Sequence, residues 1–434
     1  MTLQSTRKCK RQTVWQTGQL FLLFSLFIIR TLAQVPDSKI RGTGGTVPAF
    51  QAPSTAEVDR AIALAANYLT RACSPDGRFV YRVSINSGEQ SRSYNIVRHS
   101  GAIYALAMLH DSKPDQGALD SMVRAALFLR KNYIGPGALS DQMAVWSKPL
   151  PQPSAADLGA TGLGLVALTA LNGAKPNSVP PDQLKALGRF LLFLQRSDGS
   201  FVSKYSAESG PDEDFESLYY PGEAALGLID LYEVDHSLIW LNAAAKALAY
   251  LARSRAQLPR VPPDHWALIA TAKLLPYYAL SASPASKDEL IQHAIQICNA
   301  LMKDQLRNPI TKVLDGAFDT TGRTAPTATR MEGLLAALEF LPEGRLRTEI
   351  EETVVHGITF LLHAQIHNGP FAGGMPGADI PTSPGTSDIR VDFVQHALCA
   401  WLRYQRLFQR TTAASWDNGY PSAPMNRSLV LSGW

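Results

Sequence analysis

Cysteine is scarce in this chain, with four in 434 residues (Cys9, Cys73, Cys298 and Cys399) and no Cys-x-x-Cys pair or Cys/His ligand spacing among them. That excludes a disulfide-stapled scaffold, a zinc finger and a dithiol redox centre. No Lys/Arg stripe interleaved with aromatics occurs, and the formal net charge of +4 is small, so no nucleic-acid partner is expected. Runs of alternating strand-type residues are missing, as is any Pro/Ser-rich linker through the middle of the chain. An all-β fold and a mid-chain domain split therefore have no support.

What is plentiful is apolar side chains. The chain is 46% hydrophobic and 18% charged, which suits a large globular core. Its first residues read as an export signal: Arg7, Lys8, Lys10 and Arg11 precede an apolar stretch from Leu20 to Ile29, and Thr31, Leu32 and Ala33 offer a small-residue cleavage site. The apolar stretch is short for a membrane span, and Arg30 interrupts its end. Residues 1–33 are thus expected to be a signal peptide of a secreted or periplasmic protein. An uncleaved N-terminal anchor is the alternative and the sole membrane contact expected. Residues 34–54, rich in Pro, Gly and Thr, read as a flexible linker and 55–410 as the folded domain. Residues 411–434 read as a tail without helical period that carries the sequon Asn426 to Ser428.

Twelve helix-period segments fill the folded domain. Their predicted bounds are Thr55–Cys73, Ile96–His110, Asp115–Tyr133, Asp157–Leu171, Pro181–Gln195, Tyr219–Tyr232, Leu238–Ala252, Asp264–Leu280, Lys287–Leu306, Thr329–Leu341, Arg345–Gln365 and Arg390–Phe408. Cys298 and Cys399 fall inside two of them and read as core thiols. The segments alternate in character. Those in even positions open with polar, ionisable residues, as expected if they form an inner ring of helices aiming one end at a common cavity. Three odd segments end in similar turns: Gln195, Gly199 and Phe201 share Gln-x3-Gly-x-aromatic spacing with Gln365, Gly369 and Phe371, and Cys73, Gly77 and Phe79 differ only in the first residue. The glycine supplies positive φ after the helix and the aromatic folds back onto the hairpin.

These turns resemble the repeats of squalene-cyclase and prenyltransferase α/α toroids. The wider layout is similar to the six-hairpin toroids of glycan-active enzymes: unsaturated-uronyl hydrolases, toroidal polysaccharide lyases, sugar 2-epimerases and the helical part of glucuronyl C5-epimerases. The resemblance covers roughly Thr55 to Phe408. It implies an all-α fold, a six-hairpin α/α toroid of twelve helices around a central cavity.

Five even segments carry candidate chemistry at their starts. Asp214 lies in the acidic stretch before the sixth segment, whose first turn holds Tyr219, Tyr220 and Glu223; capping accounts for Asp212 and Glu213 but poorly for a glutamate among apolar neighbours. Asp264 is an N-cap candidate followed by His265 and Trp266, the latter either a sugar platform or core. Arg98 is suited to clamp a carboxylate, with His99 either an acid/base or a hydrogen-bonded core residue. Arg330 is expected to point inward in preference to Glu332, since positions two apart on a helix diverge. Asp392 and His396, four apart, are expected to hydrogen-bond as an acid/base pair. That spacing also suits a metal, but no third ligand is identifiable, and neither a metal nor another cofactor is expected. The fourth segment, opening at Asp157, offers little.

Glu223, His265, His396, Asp392, Tyr220 and His99 are therefore the catalytic candidates, and Arg98, Tyr219, Asp264, Trp266, Arg330 and Asp214 the binding candidates. Arginines for carboxylates, aromatics for rings and Asp/Glu/His for proton transfer point to an exported hydrolase, lyase or epimerase acting on an acidic glycan. Helix N-termini at the mouth also favour an anion. Terpenoid chemistry is the first alternative, although Asp212 to Phe215 departs from the Asp-x-Asp-Asp acid motif of such cyclases at its fourth position. The second is a toroid that binds a glycan or protein without turnover.

Overall fold

The computed structural model of the protein describes residues 52–152, 154–307, 312–380 and 386–409. The export-type segment, most of the linker, Cys9, the tail and its sequon lie outside the described residues. Twelve α-helices follow in order: α1 (Thr55–Ala72), α2 (Ile96–Ser112), α3 (Gln116–Asn132), α4 (Leu158–Ala174), α5 (Pro181–Leu194), α6 (Tyr220–Asp235), α7 (Leu238–Arg255), α8 (His265–Leu274), α9 (Lys287–Met302), α10 (Thr324–Ala337), α11 (Arg345–Ala364) and α12 (Val391–Tyr404).

The even helices pack in sequence, α2 on α4, α4 on α6, and so on to α12, which returns to α2 and closes an inner ring. Each odd helix packs outside, against the inner helices before and after it. The chain thus has the six-hairpin α/α toroid fold. Burial follows the same alternation. In α4 every residue from Leu158 to Thr169 is buried, as a helix with neighbours on all sides requires. In α3 the buried set is Ala118, Ser121, Met122, Ala125, Ala126 and Leu129, a single stripe at helical spacing facing inward. Inner helices come close because they meet through small residues: a Cβ added at Gly162 of α4 would lie 2.8 Å from the Glu223 carbonyl oxygen of α6.

The outer turns lock one hairpin to the next. Gln195 donates to the Ala243 carbonyl of α7 at 2.9 Å, and Gln365 to the Ala61 carbonyl of α1 at 3.0 Å. Cys73 takes the glutamine's place after α1, its thiol 3.7 Å from the Ser121 carbonyl of α3. The glycines have positive φ because a Cβ would strike the neighbouring outer helix: at Gly199 it would lie 2.4 Å from the Lys246 carbonyl oxygen. Two corrections to the repeat emerge. After α11 the glycine held against α1 is Gly373, with φ +90, whereas Gly369 meets nothing. A fourth such turn follows α9, where Gln305 donates to the Thr353 carbonyl at 2.9 Å and Gly316 abuts α11. Its longer insertion hides the spacing.

Most helices end within a few residues of their predicted bounds, and the two largest departures have a local cause. The segment beginning at Asp264 stops as α-helix at Leu274 and tightens into a 3-10 turn over Leu275–Leu280, because Pro276 has no N–H to continue the ladder. The tenth helix begins at Thr324, five residues earlier than expected. Pro326 falls in its first turn, where the missing N–H costs nothing. Among the described residues seven strands of two or three residues also occur, too short to leave a periodic signal. Among them β1 (Arg82–Val83) pairs antiparallel with β7 (Ile389–Arg390), tying the approach to α2 to that of α12. The three free cysteines among the described residues, Cys73, Cys298 and Cys399, are buried, consistent with core thiols at the last two.

Candidate active site

The N-terminal portions of the inner helices meet in one polar mouth. Its centre is a cluster from three helices. His265, first residue of α8, is 2% exposed, and neither ring nitrogen has a hydrogen-bond partner. His396 of α12 faces it, ring centroids 5.7 Å apart and planes at 76°. The Nδ1 of His396 lies 2.5 Å from Oε1 of Glu332 on α10, a carboxylate with no exposure whose Oε2 is unpartnered. Burial and the neighbouring His396 hold the His265 imidazole well below its usual pKa, so it is neutral. Tyr219 sets its ring edge 5.1 Å from the same imidazole, and Trp266 lies beneath His396 at 6.4 Å. One ligand atom from each of His265, Glu332 and His396 lies within 4.8 Å of the others. This set could hold a divalent cation; of the Asp392 and His396 pair whose spacing suited a metal, only His396 belongs to it.

Beside the cluster, between α4 and α6, sits Glu223. It is 4% exposed with Oε2 unpartnered, and burial, aided by Asp264 and Asp157, pushes its carboxyl up to about 8. Asp157, the N-cap of α4, makes no capping bond through its side chain, and burial raises it as well. Tyr220 shares this corner and is also raised by burial. On the opposite side, Asp392 accepts from Arg98 at 2.9 Å and from Arg390 at 2.6 Å, while Arg98 donates to the Tyr81 hydroxyl at 2.6 Å.

Several expectations are corrected by these placements. Asp392 does not pair with His396: two guanidinium groups claim its carboxylate, and a charged fork outcompetes an imidazole. His396 turns instead to Glu332. Arg330 does not point inward but donates to the carbonyls of Ala300 and Leu301 at the end of α9 and lies over the Phe318 ring. With the helix starting early, Glu332 is the member of that pair that reaches the mouth. His99 is a structural residue, bonded to the Tyr94 hydroxyl at 2.7 Å and the Ala125 carbonyl at 2.9 Å, and burial lowers it to about 4. Asp264 caps α8 through the Ala267 N–H and pairs with Arg255 at 2.9 Å, so it positions His265. Trp266 is core at 2% exposure. Asp214 is exposed in the loop before α6. Glu332 and Asp157 were not among the site candidates; the only trace of the first in the sequence is its place beside an arginine at a helix start.

Two grooves on the outer ring, one lined by Lys246 and Tyr250 and the other by Glu289 and His293, include no mouth residue. Among the described residues no helix is long and apolar enough to cross a membrane.

No family model and no curated protein matches the sequence. Solved structures match its fold. A sugar epimerase from a ruminal bacterium superposes with a TM-score of 0.63 at 11% identity, over 81% of this chain and 98% of that one. The cellobiose 2-epimerase of Bacillus thermoamylovorans gives 0.63 at 12% identity over the same shares. A GH76 α-mannanase from Bacteroides thetaiotaomicron gives 0.57 at 13% identity, over 81% of this chain and 96% of that one. The chain shares the α/α toroid architecture of these proteins.

Proposed function

We propose that the chain is an exported carbohydrate-active enzyme that moves a proton at a sugar carbon next to a carbonyl, as an epimerase or isomerase does. The observation that carries this is His265: a buried imidazole with both nitrogens unpartnered, facing a second imidazole tied to a carboxylate. Leaving a buried polar group unmade costs about 1–3 kcal/mol, a cost expected where a substrate is to supply the partner. Neutral His265 is in the form that accepts a proton. Glu332 holds His396 in place through its Nδ1. With two bases at one carbon, one takes the proton and the other returns it.

The names of the fold neighbours, sugar epimerases and an α-mannanase, support a glycan substrate. The polar mouth supports it over a terpenoid. Export rests on residues 1–33 alone.

The test is incubation with cellobiose and with D-mannose in deuterated water. NMR loss of the C2 proton signal, with a new sugar appearing, is the expected result. No exchange, with reducing ends released from a mannan, would replace this reading by hydrolysis through the neighbouring carboxyls Glu223 and Asp157. A chelator leaves exchange unchanged if the imidazoles act as bases and abolishes it if the cluster works through a bound cation.

A further inference from the structure

Glu223 is a second buried group in the mouth with an unpartnered polar atom, its Oε2, and the imidazole chemistry does not use it. Room for its carboxyl is made by Gly159 of α4, where a Cβ would lie 2.1 Å from Oε2 and 2.2 Å from the Tyr220 ring. The place is next to His265. Tyr219, whose carbonyl accepts the Glu223 N–H at 3.0 Å, lays its ring against His265. A Cβ on Gly222 would lie 2.7 Å from the Ala267 nitrogen and 2.9 Å from Trp266 Cβ, so the first turns of α6 and α8 touch. The titratable groups facing Glu223 are Asp157 from the cap of α4, Asp264 from the cap of α8, and Tyr219 and Tyr220 from its own helix. Of the cations nearby, Arg255 of α7 is bound to Asp264, and Arg98 of α2 to Asp392 and Tyr81. Carboxylates and phenols thus surround this carboxyl, and no cation is bonded to it.

We propose that Glu223 is a protonated acid that hydrogen-bonds the sugar carbonyl oxygen and gives it a proton while an imidazole removes the neighbouring C–H proton. This deepens the proton-transfer reading and rests on it. As the C–H bond breaks, its proton goes to the imidazole and its electron pair forms the C=C bond of an enediol. The carbonyl π pair moves onto oxygen, which takes the Glu223 proton. On return the oxygen gives that proton back, the C=O bond re-forms, and carbon is reprotonated by an imidazole. Nothing is consumed. A carboxylic acid kept neutral in a dry corner is a strong donor to such a developing oxyanion.

The discriminating experiment is the pH dependence of C2 deuterium exchange with cellobiose and D-mannose in the full chain, compared with E223Q and E223A. Wild type should lose activity along an alkaline limb near pH 8, where Glu223 ionises. E223Q, which donates a hydrogen bond but has no proton to give up, should keep part of the exchange, falling by about tenfold, and lose that limb; E223A, which has neither, should fall by about 10²-fold or more. Circular dichroism checks that both fold. Carboxyl-selective ¹³C NMR should show one resonance titrating near 8 in wild type and absent from E223Q. Exchange with an unchanged alkaline limb in E223Q, or a Glu223 resonance titrating in the ordinary carboxylate range, overturns this inference and leaves the histidine reading standing. Absence of exchange in wild type overturns both.

Discussion

The two ends of the inner ring are both polar, but they treat their charges differently. At the far end Lys273 of α8 meets Asp230 at 3.4 Å and Glu233 at 2.7 Å, Tyr277 donates to Glu233 at 2.9 Å, and Arg403 of α12 meets Glu339 at 2.8 Å. Cation meets anion, and the groups fasten helices together. At the mouth, His265 has no partner, Glu223 and Glu332 each leave an oxygen unmade, and Glu223 lies among other acids. Polarity in the bore is therefore not by itself a sign of chemistry. The unpaired end is the one arranged for something that arrives later.

The sharpest break in this comparison is expected from the mouth histidines. His265→Ala should lower C2 exchange by about 10³-fold with little change in Tm, since the packing lost around the ring is offset by removing two buried, unpaired nitrogens. His396→Ala should lose as much activity, and some stability with it, because Glu332 is left buried without its partner. Initial rates and thermal unfolding of the same samples check both. A Tm loss in His265→Ala as large as its activity loss would make this imidazole structural.

The complementary change at the far end is Arg403→Met. It strips the exposed Glu339 of one of its two arginines and should destabilise the fold by about 1–2 kcal/mol, while exchange per folded molecule stays at the wild-type value. Urea unfolding alongside single-temperature rates tests it. A rate loss beyond the unfolded fraction would mean that the two ends are coupled and the contrast drawn above is wrong.

How much of this was legible in the sequence depends on range. The inner and outer helices were, because every second segment opens with polar, ionisable residues, and the burial of α4 on all sides and of α3 on one stripe follows that alternation. Gathering of Glu223, His265 and His396 at one mouth followed from the alternation alone. Pairings were not. His396 bonds a residue 64 positions away in place of Asp392 four away, because Arg98 from the second helix and Arg390 from the strand before α12 capture Asp392. Local spacing cannot weigh such distant competitors. Arg330 against Glu332 failed for a similar reason: the helix starts five residues earlier than expected, and the open carbonyls at the end of α9, about thirty residues away, draw the Arg330 guanidinium off the mouth.

Acidity offers a subtler probe of the same contrast. Folded, Glu223 holds its proton up to about pH 8, whereas an unperturbed glutamate ionises near 4.5. Its folded pKa is raised, so the stability it contributes is complete below pH 4.5 and is lost as pH rises to about 8. Glutamine in its place does not ionise in either state. The Tm of Glu223→Gln relative to wild type should therefore rise across that window and level off above it. A gap independent of pH would mean that the carboxyl ionises in the folded chain as it does in water.

The smallest effects come from two glycines of α4, one facing the ring contact and one near the paired end. Gly162 lies against α6, with the Ala224 nitrogen and the Glu223 carbonyl each 2.8 Å from where a Cβ would sit. Both obstacles are backbone of a neighbouring inner helix and cannot swing aside. Gly162→Ala must push α6 off α4, which should cost about 1–3 kcal/mol and carry Glu223 out of its corner with the helix, so exchange should fall as well. Gly173, near the other end of the same helix, would meet nothing within 4 Å. Gly173→Ala should stabilise by about 0.5–1 kcal/mol through helix propensity and lower unfolded-state entropy, with no change in rate. Because the two substitutions are chemically identical and share one helix, opposite signs in their unfolding free energies isolate inter-helix spacing as the variable that holds the mouth together; equal signs would mean that the inner ring has slack at Gly162.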